Sequence, residues 1–288
     1  MFVIMKIKEL KFVAKSFLSK EEDLLVIDVL LHHLLNLSEL DLIKNPDLDL
    51  SVDVVQAFFE LLDRYVSGEP LAYIVNRKEF YGHDFFVDNH VLIPRPESEF
   101  LLDEILIYLR ENPTEKELKI LDVGTGSGCL LLSLLLNLPN ATGIGVDISS
   151  EALEVAKINA ERLNLINRVK LVKGDLAEDI DQKFDIIIAN LPYIGTEIFN
   201  EVDENVKNFE PNLALYAGKD GLDLYRKLFD QIKQKDLCVK LLLGEYGKGQ
   251  TDLLKAEIEK NFSDRELKII QDYALIDRVF MVDFSKTI

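Results

Sequence analysis

The chain of 288 residues has no tryptophan, two cysteines, three methionines, four histidines and eight prolines. Cys129 and Cys238 are too few and too far apart for a disulfide framework, which fits a reducing, cytoplasmic compartment. His32, His33, His83 and His90 form neither a His-x-x-His nor a His-Glu-x-x-His pattern, so no zinc site is expected. Long apolar runs are also missing. The nearest, Leu130 to Leu138, is interrupted by Ser133 and Asn137 and falls short of the ~18 apolar residues that read as a membrane span. The amino-terminal MFVIMKIKEL is too short an apolar stretch for a signal peptide. Positive charge is scarce: 33 Lys and Arg stand against 51 Asp and Glu, a net charge of -18. Nonspecific nucleic-acid binding depends on cations that neutralise phosphates, so no stable nucleic-acid partner and no membrane partner is expected. An acidic surface suits a small cationic ligand or a basic protein. Internal repeats and low-complexity tracts are absent.

What is present is a chain that is 48% hydrophobic, enough for a sizeable core and two domains of ordinary size. The first ~75 residues carry helical periodicity. Ser19-Lys20-Glu21-Glu22 is a capping box before the apolar run Leu24 to Leu37. After Ser51, the residues Val54, Val55, Phe58, Leu61, Leu62 and Tyr65 share one helical face, and Gly68 stops the helix. This part contains no obvious chemistry; it is either a packing domain or a docking surface. From Glu79 to Pro96 the pattern turns to aromatic and β-branched residues with turn signals, a β-hairpin ending in the stiff Pro94-Arg95-Pro96. The expected organisation is a helical domain over 1–75, a hairpin linker over 76–96 and a third part over 97–288.

After a helix over Glu97 to Leu109, strands and helices alternate. The strands end at Asp122, Asp147, Asp175 and Asn190, and further elements follow to the end of the chain. This alternation predicts an α/β fold with a doubly wound, Rossmann-like parallel sheet. The central strand is Asp185 to Ala189, where three consecutive isoleucines fit burial on both faces. It runs into Asn190-Leu191-Pro192-Tyr193, at the strand end where open α/β sheets hold ligands. The Asn190 side-chain oxygen and the Leu191 carbonyl can accept from one planar NH2 group, and Tyr193 can offer a flat face beside it. The plainer alternative is an Asn-x-Pro turn leaving a strand.

Asp122-Val123-Gly124-Thr125-Gly126-Ser127-Gly128 links the first sheet strand to a helix. Its glycines permit close approach of a ligand, and the helix start offers free N–H groups to a carboxylate. The third glycine comes one residue early for a dinucleotide fingerprint. Asp147 can accept both hydroxyls of a ribose, and Asp175 an adenine amino group. Alone, each is equally well an N-cap or a turn aspartate. Together they describe an adenosine with a carboxylate-bearing tail.

These residues resemble those of S-adenosylmethionine-dependent methyltransferases. The resemblance narrows to the release-factor glutamine methyltransferases (the HemK/PrmC family) on several further stretches. They are Gly68-Glu69-Pro70-Leu71-Ala72-Tyr73-Ile74, Glu79-Phe80-Tyr81-Gly82, Val91-Leu92-Ile93-Pro94-Arg95-Pro96-Glu97, Glu210-Pro211, Gly218-Lys219-Asp220-Gly221-Leu222, Glu245-Tyr246-Gly247 and Asp277-Arg278. The match runs from Gly68 to the end. It implies a seven-strand methyltransferase sheet with an antiparallel last strand. It also implies methyl transfer from S-adenosylmethionine, leaving S-adenosylhomocysteine, to the side-chain amide nitrogen of the Gly-Gly-Gln glutamine of peptide release factors. The helical domain would help hold that partner. By the same resemblance, Asp122, Gly124, Thr125, Gly126, Ser127, Gly128, Asp147, Asp175, Leu176 and Asn190 hold the cofactor. Asn190, Leu191, Pro192, Tyr193 and Arg95 meet the substrate, and the first four of these are catalytic. Two departures stand out. Leu191 replaces the family's usual proline, and Glu97-Ser98 follows Pro96. Asn-Leu-Pro-Tyr also occurs in ribosomal RNA adenine dimethyltransferases, so N6-adenine methylation of RNA or DNA is the alternative.

Overall fold

A computed structural model describes residues 3–18, 24–114 and 116–287 of the chain. The chain divides into two compact units, 1–76 and 77–288. In the first, strand β1 (Val3–Lys6) leads into helix α1 (Ile7–Ala14). Then come α2 (Leu24–Leu35), α3 (Glu39–Lys44), strand β2 (Asp49–Ser51), α4 (Val52–Val66) and the short α5 (Leu71–Ile74). The capping box expected at Ser19 to Glu22 lies outside the described residues. Ser38 and Ser51 cap α3 and α4, accepting from the backbone N–H of Asp41 and Val54. The apolar face expected on the fourth helix is used: Phe58 and Leu62 are buried with Leu10 and Leu30 in one cluster. The unit is not wholly helical, because β1 and β2 pair antiparallel, with Met5 opposite Leu50 and Lys6 opposite Asp49. Strands of three or four residues carry too little alternation to register beside strong helical periodicity.

The second unit opens with β3 (Lys78–Phe80) and β4 (His83–Phe85), an antiparallel hairpin. It is shorter than the run from Glu79 to Pro96 suggested. Val87, Val91 and Ile93 are buried, but in irregular chain. Pro94 and Pro96 cannot donate to a ladder, which limits strand there. A single 3-10 turn at Pro96–Ser98 leads into α6 (Glu99–Glu111). The alternating region is β5 (Leu118–Val123), α7 (Cys129–Asn137), β6 (Ala141–Asp147), α8 (Ser150–Arg162), β7 (Val169–Lys173) and β8 (Phe184–Ala189). It continues with α9 (Glu204–Phe209), α10 (Asp223–Lys235), β9 (Cys238–Glu245), α11 (Thr251–Phe262), β10 (Arg265–Gln271) and β11 (Asp277–Thr287).

The seven strands β5 to β11 form one sheet in the order β10-β11-β9-β8-β5-β6-β7. Strands β5 to β9 pair in parallel. β11 runs antiparallel between β9 and β10. This is the expected doubly wound methyltransferase sheet with its antiparallel last strand. Successive residues of β8 face opposite layers. Ile187 and Ala189 pack with Leu121, Leu242 and the α10 side chains Tyr225 and Phe229. Ile186 and Ile188 pack with Ile120, Leu243 and the α6 and α7 side chains Leu101 and Leu131. All four are fully buried, and each isoleucine contributes about 1.5–3 kcal/mol of transfer free energy. Because β5 to β9 are parallel, their carboxyl ends share one edge. The loops after Val123, Asp147, Lys173, Ala189 and Glu245 therefore gather there.

Candidate active site

Asn190 is the first residue beyond the ladder of β8. Its Nδ2 lies 2.9 Å from both Ser98 Oγ and Glu245 Oε2. The Ser98 hydroxyl itself donates to Glu245 Oε2, and the Tyr193 hydroxyl donates to Oε1 at 3.3 Å. Glu245 closes β9 and is 1% exposed. Burial pushes its carboxyl above the usual range, opposed by the Ser98 donor and the Arg278 charge. The Glu245 charge and burial raise the Tyr193 hydroxyl well above its ordinary value, so Tyr193 stays a donor. Among the described residues nothing donates to Asn190 Oδ1, which is left as the accepting end of the amide.

The backbone around Asn190 is held from two sides. The Tyr225 hydroxyl is within bonding reach of the Ala189 carbonyl at 3.0 Å and the Glu245 carbonyl at 2.5 Å, joining the last residues of β8 and β9. Gln250, fully buried, donates through Nε2 to the Tyr193 and Asp220 carbonyls at 2.7 and 2.8 Å. Its Oε1 accepts from Gly247 N–H at 2.8 Å.

Two cavities meet at this point. One, of about 260 Å³, is bordered by Gly124, Gly126, Asp147, Asp175 and Leu176, and by Asn190, Leu191 and Pro192. The other, of about 700 Å³, is bordered by Arg95, Tyr193, Phe199, Val206, Lys248 and Arg278, and again by Asn190 and Leu191. Asn190 and Leu191 thus form part of both walls. Gly124 has φ +73°, and a Cβ there would come within 3.0 Å of the Leu191 side chain, so glycine keeps the two loops in contact.

The remaining residues singled out in the sequence fall into distinct places. Asp147 holds its loop from within: Oδ2 accepts from Gly126 N–H and Oδ1 from Ser149 N–H, each at 2.9 Å. Burial raises its carboxyl against these donors. Asp122, Thr125, Ser127 and Gly128 do not border the smaller cavity. Thr125 Oγ1 donates to Asp122 Oδ2 at 2.7 Å. Asp122 Oδ1 is buried with no partner among the described residues, and burial pushes the carboxyl up to about 7. The Ser127 carbonyl accepts from Asn159, and Gly128 caps α7. Asp175 borders the cavity while pairing with Lys227 Nζ at 2.5 Å. Arg95 borders the larger cavity, but its guanidinium is paired with the buried Glu210, which also accepts from Ile93 N–H. A structural ion pair accounts for that contact.

Ser98 and Glu245 entered the sequence reading only within a departing and a matching stretch, with no role of their own, and Gln250 did not enter it. Glu245 had a signal: it is a carboxylate at the end of an apolar strand, the pattern that marks Asp147 and Asp175. Ser98 and Gln250 have no local signal, because their partners lie 92 and 57 positions away along the chain.

Comparison with known proteins adds the following. The methyltransferase domain family matches residues 114–274, and the PrmC N-terminal domain family matches residues 10–75. A release factor glutamine methyltransferase of Clostridium acetobutylicum is 33% identical over 283 residues, covering 96% of this chain and 98% of that one. Its counterpart in Bacillus anthracis is 32% identical, covering 94% and 97%. A bifunctional methyltransferase of Rickettsia conorii is 37% identical over 228 residues, 72% of this chain. The matched part is 44% of that protein's length, so the chain corresponds to less than half of it. Among solved structures, a methyltransferase from Pyrococcus furiosus superposes with a TM-score of 0.51 at 18% identity, covering 77% of this chain and 96% of that one. The N-terminal domain of human METTL16 in complex with SAH gives 0.52 at 16%, covering 76% and 82%. These likenesses bear on the fold alone.

Proposed function

Since the chain belongs to the release factor glutamine methyltransferase family, we propose that it methylates the side-chain amide nitrogen of a glutamine in peptide release factors, using S-adenosylmethionine. The observation that carries this is the meeting of the two cavities at Asn190 and Leu191. An amide nitrogen is a poor nucleophile because its lone pair is delocalised into the carbonyl. Its NH2 group has two protons in one plane, and a site that fixes the nitrogen must accept both. Asn190 Oδ1 and the Leu191 carbonyl are two such acceptors on adjoining residues. Holding the nitrogen in line contributes up to roughly 7–11 kcal/mol in favourable cases. The same acceptors favour the positive charge that develops on nitrogen during transfer. Tyr193, tied to Glu245, packs beside the amide plane.

The smaller cavity fits the cofactor. Each Asp147 oxygen spends one lone pair on a backbone N–H and keeps another for a ribose hydroxyl. Gly124 and Gly126 leave space for the tail, and Leu176 and Leu224 give an apolar floor for a purine. When bound, S-adenosylmethionine supplies an electrophilic methyl group on a sulfonium. Asp147→Ala is expected to weaken binding of S-adenosylhomocysteine by about 1.5–3 kcal/mol, the loss of hydrogen bonds to a charged acceptor. Calorimetric titration of a folded variant with unchanged affinity would remove Asp147 from the site.

The first unit leaves Phe12, Phe17, Leu25, Leu40 and Ile43 more than half exposed. Apolar side chains left in water in this number support a protein-contact role for that unit. No helix among the described residues is long and apolar enough to cross a membrane. The test of the assignment is to incubate the protein with methyl-labelled S-adenosylmethionine, release factor and ribosomal RNA. Label on the release-factor glutamine is expected. Label in RNA alone would transfer the assignment to adenine methylation.

A further inference from the structure

The Asn190 amide has nearly the same shape either way round, so its hydrogen bonds decide which end faces the cavities. Both atoms 2.9 Å from its inner end are acceptors. Ionised Glu245 has no proton to give, and Ser98 Oγ has committed its proton to the same carboxylate. Turning the amide over would press Oδ1 against these two oxygens and present a donor to the substrate. We propose that Glu245 is a positioning residue for methyl transfer, holding the Asn190 amide with Nδ2 inward so that Oδ1 faces the substrate nitrogen. What Oδ1 accepts rests on the glutamine methyltransferase assignment; the orientation of the amide rests on geometry alone.

Three donors converge on Glu245, from Ser98, Asn190 and Tyr193. Such convergence favours the carboxylate form. Burial is the largest influence and raises the carboxyl, with Glu97 adding to it; the Arg278 charge works with the three donors against that rise. Cys129 and Tyr225, which also feel the Glu245 charge, are both held protonated chiefly by burial. A protonated Glu245 can itself donate, so it no longer distinguishes the two ends of the amide. Turnover therefore falls on the acid side as Glu245 takes up its proton.

Glu245→Gln keeps the shape but can present either an oxygen or an NH2 group, so it cannot select an orientation. In that variant kcat on a release factor is expected to fall about 10- to 30-fold, below the roughly 100-fold cost of a full 1 Å misplacement. KM for the release factor and the affinity for S-adenosylhomocysteine stay near wild type, and the acid limb of kcat flattens. Ser98→Ala, the milder variant, removes one donor from the carboxylate. Its acid limb is expected to move to higher pH, because the charged form has lost support. A readout without turnover is the Asn190 side-chain NH2 pair in proton–nitrogen correlation spectra, assigned by its loss in Asn190→Asp. The pair should shift in Glu245→Gln and titrate at acid pH in the wild type. A folded Glu245→Gln with undiminished kcat, an acid limb unmoved in Ser98→Ala, or an NH2 pair indifferent to Glu245 each overturns the proposal. If the wild type labels no glutamine, the functional assignment fails instead, and the NH2 resonance still reports whether Glu245 holds Asn190.

Discussion

Replacing Asn190 by alanine is expected to reduce single-turnover methylation of a release factor by about 10²- to 10³-fold at saturating cofactor, the scale seen when one preorganised polar group is removed from a transition-state site. The side chain contributes the only acceptor at the junction of the two cavities that is made of side-chain atoms and left unbonded by the described residues. Its removal also strips Nδ2 from Ser98 and Glu245, but both keep each other as partners, so the fold should survive. Thermal melting separates a collapsed variant from an inactive one. Retained turnover in a folded Asn190→Ala would mean that the glutamine is held elsewhere.

Gly221→Ala is expected to cost at least about 2–4 kcal/mol of stability, combining left-handed backbone strain with lost buried hydrogen bonds. Gly221 has φ +82°. A Cβ there would lie 2.0 Å from the Tyr193 carbonyl oxygen and 2.4 Å from Gln250 Nε2. Neither can yield cheaply, since Gln250 holds Tyr193, Asp220 and Gly247 together. The substitution should therefore move Tyr193 and reduce turnover as well as stability, with cofactor affinity largely kept, because Gly221 does not border the smaller cavity. Urea unfolding at wild-type midpoint would show that this loop packs in another way.

The features legible in the sequence were those written in consecutive residues. Three isoleucines and a following Asn-x-Pro identify β8 and its end, and the alternating elements identify the sheet. What stayed hidden depends on the third dimension. Ser98 and Glu245 reach Asn190 from 92 and 55 positions away, and no local pattern encodes that convergence. The segment over 87–93 has the composition of strand, but two prolines and a turn at Asp88 keep it out of any ladder, and burial rather than pairing explains its apolar residues. Helix α9 escaped notice because its six residues bury no side chain and so carry no periodicity.

Because β8 is covered on both faces, none of its positions from 186 to 189 can take up a charge or hydroxyl without a buried partner to meet it. A change near the site that leaves the sheet intact therefore has to fall past the last rung of the ladder. Leu191 is the exception. It borders both cavities, yet it is 2% exposed and belongs to the cluster that includes Ile187 and Tyr225. A substitution at Leu191 that reshapes the cavity walls also disturbs that cluster, so its effects on the cavities and on stability arrive together.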